Sequence, residues 1–213
     1  MMNLYLDQYK DKYVGQRGYL VGKGPSLDTL ASSEAPFEME GGAVFCLNES
    51  VHAVEALNMD VEFQTPLYCV QQDSELGAAC VPVHDATVHF MNDWQAGPTD
   101  CGVKKRVMQS EWNPKAVLYR CPEWYLSGVV ALEIMALMGI QDVTLVCFDA
   151  LINDFSGPET YAQCITTPPS PHKGPANIGP HRGSGRQIVA KARELMRSLR
   201  TLHPCAPQVD FYK

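Results

Sequence analysis

The sequence predicts an α/β fold with a mostly parallel sheet flanked by helices, and three observations point there. A short apolar run, Arg17 to Val21, leads straight into Gly22-Lys23-Gly24-Pro25-Ser26 and a helix start. Two further runs, Ala43 to Leu47 and Val143 to Phe148, are apolar almost without interruption, the pattern of strands buried on both faces. Helix-length stretches separate such runs, and strands alternating with helices make a parallel sheet. At 213 residues the chain suits one domain and can bury most of the surface its unfolded form exposes. The expectation is therefore a single Rossmann-like domain over residues 1–213.

Each element has its own signal. Pro25 suits a first helical turn, and Ser26 or Asp28 can accept from its N–H groups. Ser50 to Leu57 reads as a helix with Ser50 as its cap. Val61 to Val70 holds strand material interrupted by Pro66, and residues 80–90 alternate weakly as a further strand. Residues 92–115 are broken by Gly97-Pro98, Gly102 and Asn113-Pro114. Val117 to Arg120 is a short strand. Ser127 to Met138 is a helix that is apolar nearly all round, hence buried, and Gly139 stops it. Residues 150–180 contain Pro158, Pro168, Pro169, Pro171, Pro175 and Pro180. A long stretch of that kind within a domain predicts a lid or binding loop. Ser184 to Leu202 is an amphipathic helix, and Gln208 to Tyr212 a last edge strand.

Composition narrows the function classes. Net charge is −7, and the basic clusters are Lys104-Lys105-Arg106 and the helix after Arg182, which argues against a nucleic-acid backbone as partner. No apolar run reaches the ~18 residues of a membrane helix, and residues 1–12 lack a secretory signal, so a cytoplasmic protein without a transmembrane segment is expected. Eight cysteines are spaced at least eleven residues apart, without a Cys-x-x-Cys zinc pattern. Cys46, Cys69 and Cys147 lie in apolar runs and read as buried, reduced thiols.

The candidate site residues cluster at strand ends. In the turn Gly22, Lys23, Gly24, Pro25 and Ser26, two glycines allow close backbone approach to a phosphate. The turn is neither a P-loop nor a full dinucleotide fingerprint, since Leu27 occupies the third glycine position. Asn48 and Glu49 end the second strand, where ribose hydroxyls or base edges bind in such sheets. Ser127 and Gly128 open the buried helix, and Asp149 ends the strand after it. His181 precedes the last helix and suits a general base near neutral pH, with His172 as its competitor. Arg182 and Arg186 flank the same helix start and can meet phosphates.

Taken together, these segments resemble the bacterial sialyltransferases of glycosyltransferase family 42. Gly22-Lys23-Gly24-Pro25-Ser26-Leu27 is similar to their Gly-Asn-Gly-Pro-Ser-Leu turn. Val44-Phe45-Cys46-Leu47-Asn48-Glu49 is similar to a second-strand segment ending in Asn-Gln. Ser127-Gly128-Val129, Ala136-Leu137-Met138-Gly139 and a strand ending at Asp149 keep the order and spacing of a third segment. Ile178-Gly179-Pro180-His181 resembles the segment that carries the catalytic histidine. The turn also resembles the wider group that includes archaeal 6-hydroxymethylpterin pyrophosphokinases. Three positions differ from the sialyltransferases: Lys23 replaces asparagine, Thr65 lies near an asparagine that meets the nucleotide, and Leu151 replaces a tyrosine that assists the departing phosphate.

The resemblance implies a glycosyltransferase that takes a nucleotide-activated, CMP-type sugar donor and acts by direct displacement. His181 would deprotonate the acceptor hydroxyl. Tyr161 would stand in as the leaving-group tyrosine, and Lys23, Arg182 or Arg186 would neutralise charge on the departing phosphate. Gly22 to Ser26, Asn48, Glu49, Thr65, Ser127, Gly128 and Asp149 would hold the nucleotide. No cofactor and no metal are expected, because no Asp-x-Asp pair is present. The pyrophosphokinase alternative would move diphosphate from ATP to a hydroxymethyl heterocycle and would need Mg²⁺ on carboxylates such as Asp73 or Asp149. A nucleotide-binding module without catalysis is the third alternative. The acceptor is open among a glycan, a small alcohol and a modified nucleic-acid base, the last disfavoured by charge, and homo-oligomerisation is left open.

Overall fold

The computed structural model describes residues 6–32, 42–58, 66–72, 79–92, 112–119, 127–148 and 208–211. Seven strands form one sheet: β1 (Arg17–Val21), β2 (Gly42–Leu47), β3 (Leu67–Gln71), β4 (Val88–Asn92), β5 (Val117–Tyr119), β6 (Asp142–Val146) and β7 (Gln208–Phe211). Their spatial order is β5-β4-β3-β2-β1-β6-β7, and every pair is parallel. Helices α1 (Ser26–Ser32), α2 (Ser50–Asn58) and α3 (Ser127–Leu137) pack on its faces. This is the predicted α/β, Rossmann-like fold. The proposed lid, 150–180, and the helix expected over 184–202 lie outside the described residues.

The side-chain period of two sorts the strands between two cores. On one face Leu20, Phe45, Tyr68, Val70, Phe90, Tyr119 and Leu145 meet α3. On the other, Tyr19, Val21, Val44, Cys46, Cys69 and Val146 meet Leu27 of α1 and Val51 and Val54 of α2. β2 is buried along its whole length because both faces are covered. Cys46, Cys69, Cys80 and Cys147 are buried and free, as expected of the first, second and fourth. Burial pushes the Cys46 and Cys69 thiols well up, so neither is a thiolate nucleophile.

The amino-terminal segment closes the edge of the sheet where the strands begin. It makes a 3-10 turn at Asp7–Tyr9, and the Asp11 and Tyr13 N–H groups donate to the Leu137 and Met138 carbonyls at 3.0 and 2.7 Å. These are carbonyls that the end of α3 cannot satisfy within the helix. Gly139 turns the chain there with φ +83°, and a Cβ on it would lie 2.8 Å from Val14 Cγ2. Lys12 Nζ donates to the Tyr68 hydroxyl at 3.1 Å and lies 5.5, 5.4 and 5.7 Å from the ring centroids of Tyr9, Tyr13 and Tyr68. Tyr68 itself stacks between Phe45 and Phe90.

Topology singles out one place along the sheet. From β1 the chain steps outward through β2, β3, β4 and β5, then returns to place β6 on the other side of β1. The order reverses between β1 and β6, and open α/β sheets bind ligands outside the carboxyl ends of strands at such a reversal.

Candidate functional site

The turn after β1 is built against β6. Gly22 N–H donates to Val146 O at 2.8 Å, and Gly24 N–H to Cys147 O at 3.0 Å. Leu27 N–H to Gly24 O and Asp28 N–H to Pro25 O then start α1. A Cβ on Gly22 would stand 2.6 Å from Cys147 O and 3.0 Å from the Phe148 ring. The glycine at position 22 is thus demanded by strand packing. Both glycine N–H groups are directed at β6, so the two-glycine turn does not cradle an anion through them.

Positive charge at this turn comes from a side chain. Lys23 Nζ contacts Glu49 Oε2 at 2.9 Å, with Lys23 14% and Glu49 2% exposed in their side chains. Lys23 follows β1 and Glu49 follows β2, so the pair bridges the two strand ends beside the reversal point. Asn48 enters this corner with φ +52°, a left-handed conformation that asparagine tolerates better than most residues. Its N–H donates to Val70 O at 3.1 Å, and its Oδ1 accepts from Gln72 N–H at 3.3 Å, locking the ends of β2 and β3 together. Ser50, expected as the cap of α2, instead has its hydroxyl between the carbonyl oxygens of Val21 and Leu47, at 3.1 and 3.0 Å.

The start of α3 faces the same corner. A Cβ on Gly128 would lie 3.5 Å from the Phe148 ring and 3.8 Å from Leu47. Ser127 and Gly128 therefore stand beside the carboxyl ends of β2 and β6. Gly22 to Ser26, Asn48, Glu49, Ser127 and Gly128, distant in sequence, converge on one edge. Thr65, Asp149, Tyr161, His181 and Arg182 lie outside the described residues. So do His172, Arg186, Asp73 and Leu151.

Two further polar groups were not singled out from the sequence. His89 Nε2–H donates to Gln71 Oε1 at 2.9 Å, and its Nδ1 accepts from the Asn113 amide at 3.2 Å, an arrangement that needs a neutral ring. Burial, with a smaller contribution from His52, pushes His89 down to about 4. The Tyr119 hydroxyl lies 3.0 Å from both Gln71 O and Gln72 Oε1. A chain of hydrogen bonds thus runs from Asn48 through Gln72 to Tyr119 across the ends of β2, β3 and β5. The signal was present as polar residues ending apolar runs, Gln71-Gln72 at the end of β3 and Asn92 at the end of β4.

Glu55 anchors the segment before β4. It accepts from Val83 N–H, His84 N–H and the Thr87 hydroxyl at 3.0, 3.2 and 2.8 Å. Burial alone would raise its carboxyl, but His52 and these donors outweigh that and hold it below the usual range. His52 is raised in turn, chiefly by Glu55 and against the effect of burial. Among the described residues no group of three or more His, Cys, Asp or Glu is placed to hold a metal ion, and no helix is long and apolar enough to cross a membrane. Compared with known proteins, the chain matches no family model and no curated protein.

Proposed function

We propose that the corner between β1, β2 and β6 binds a nucleotide, and that the protein transfers a sugar from a nucleotide-activated donor to a hydroxyl acceptor. The observation that carries the nucleotide part is the Lys23–Glu49 pair at the reversal point of a parallel sheet, with the start of α3 beside it. A cation there suits a phosphate, and a carboxylate at the end of β2 suits ribose hydroxyls. The transfer part rests on the sequence resemblance. In it His181 takes the acceptor proton, Arg182 and Tyr161 meet the departing phosphate, and residues 150–180 close over the donor to exclude water. Thr65 and Asp149 complete the nucleotide contacts.

A thermal-shift panel of CMP, UDP, GDP, ATP and their sugar conjugates tests the binding. A ligand at 100 times its Kd stabilises by about 2.7 kcal/mol, which is readily measured. Lys23→Gln removes the charge while leaving a polar side chain, and should weaken the best ligand about tenfold or more. If no member of the panel stabilises the wild type, or if Lys23→Gln binds the best ligand as tightly, the site is wrong. Turnover of the best donor should persist in excess EDTA. Complete loss there, restored by Mg²⁺, would favour diphosphate transfer instead.

A further inference from the structure

We propose that Lys23 and Glu49 are an exchangeable ion pair that admits ligands bearing a phosphate together with neighbouring hydroxyl groups, and turns away simple anions. The inference rests on the nucleotide reading of the same corner and specifies what that corner recognises. Three features carry it. The Gly22 and Gly24 N–H groups are taken up by the Val146 and Cys147 carbonyls, and the Lys23 ammonium carries the positive side-chain charge of this turn. That ammonium is in contact with Glu49 at 2.9 Å. Glu49 is only 2% exposed, and withdrawing the cation from a buried carboxylate is costly.

These features act against one another when a small anion arrives. Inorganic phosphate would draw on Lys23 and add negative charge beside Glu49, with little to offer the carboxylate in return. A ligand whose phosphate meets Lys23 while hydroxyl groups donate to Glu49 avoids that penalty. An ammonium has three donors and can serve both oxyanions at once, while hydroxyl donors satisfy the carboxylate directly. A ribonucleoside 5′-phosphate has this combination, a vicinal diol a few bonds from a phosphate. Its 2′-deoxy counterpart keeps the phosphate and loses one donor. The pair thus penalises occupation by phosphate alone.

Titration calorimetry of the full chain with inorganic phosphate, a ribonucleoside 5′-monophosphate chosen from the panel and its 2′-deoxy form tests this directly. Wild type should bind the ribonucleotide at least tenfold tighter than either other probe. Glu49→Gln, which is isosteric and removes the negative charge facing Lys23, should bind inorganic phosphate about tenfold tighter than wild type, and its ribo-to-deoxy ratio should fall towards one. Unchanged phosphate affinity and an unchanged ratio in Glu49→Gln would mean the pair is purely structural and would overturn the proposal. Should that variant not fold, a wild-type ribo-to-deoxy ratio near one overturns it alone, and a tenfold ratio together with weaker binding of inorganic phosphate upholds it. If wild type binds no nucleotide yet Glu49→Gln gains phosphate, exchange stands and the nucleotide reading fails. If neither occurs, both fail.

Discussion

Gly22→Ala should destabilise the fold by about 3 kcal/mol or more, while Gly128→Ala should leave it within about 0.5 kcal/mol of wild type. Position 22 sits where β1 leaves the sheet, and the atom that a Cβ would strike, at 2.6 Å, is the Cys147 backbone oxygen. A side chain can rotate away from such contact, but this carbonyl accepts the Gly24 N–H and cannot move without opening the turn. The β1–β6 pairing would have to yield, beside the hydrogen bond from Gly22 to Val146. At Gly128 the nearest atoms are 3.5 Å away, ordinary contact, and alanine is the better helix former. Domain stabilities are about 5–15 kcal/mol, so the loss at position 22 is a large fraction of the whole. Urea unfolding of both variants decides it, and a wild-type midpoint for Gly22→Ala would refute the close packing of the turn on β6.

The second large effect is a loss of stability in mild acid caused by His89. In the native protein its pKa is about 4, against an ordinary 6.5. Between those values the unfolded chain takes up a proton that the native ring refuses, so stability rises with pH across the window and falls as pH drops from about 6.5 to about 4. The full difference is about 3 kcal/mol. The ring is neutral for a structural reason: its Nδ1 must accept from Asn113, which an imidazolium cannot do. His89→Gln retains a donor and an acceptor without titrating, so its stability should vary much less over the same window. His52 works with the opposite sign, its raised pKa favouring the native state at low pH, and Glu55 favours it above the carboxylate range. Both remain in the variant and cancel in the comparison. Parallel slopes for wild type and His89→Gln would show that His89 is not the group responsible.

The sheet was legible because it is written locally. Continuous apolar runs marked β2 and β6, and of the strand material expected over Val61 to Val70 the part after Pro66 belongs to β3. Gly139, read as the stop of α3, adopts the positive φ that ends it. Boundaries shifted where backbone conformation intervened: β6 ends at Val146 rather than Phe148, where Cys147 turns left-handed with φ +58°. The corner was legible as a set of strand ends, and the convergence of Gly22, Asn48, Glu49 and Gly128 follows from parallel topology. The use of those residues was not. Whether Gly22 N–H faces a phosphate or Val146 depends on a strand more than a hundred residues later. The Lys23–Glu49 contact joins positions 26 apart, and Tyr119 meets Gln71 across 48. No local pattern encodes such partners.

Helix α3 is held at one edge of the sheet and presented at the other. Its last carbonyls are tied to Asp11 and Tyr13, Gly139 is wedged on Val14, and Tyr13 is in turn fastened to Tyr68. Its first residues reach the corner where Gly128 meets Phe148 and Leu47. The helix is a rigid rod of eleven residues, about 16 Å long, anchored at its foot. A small tilt at the foot would be delivered as a displacement at the tip, because the body of the rod is too densely packed to absorb it. The amino-terminal clasp therefore helps to set where Ser127 and Gly128 stand at the opposite edge of the sheet, and a substitution at Tyr13 is expected to loosen the foot of the helix.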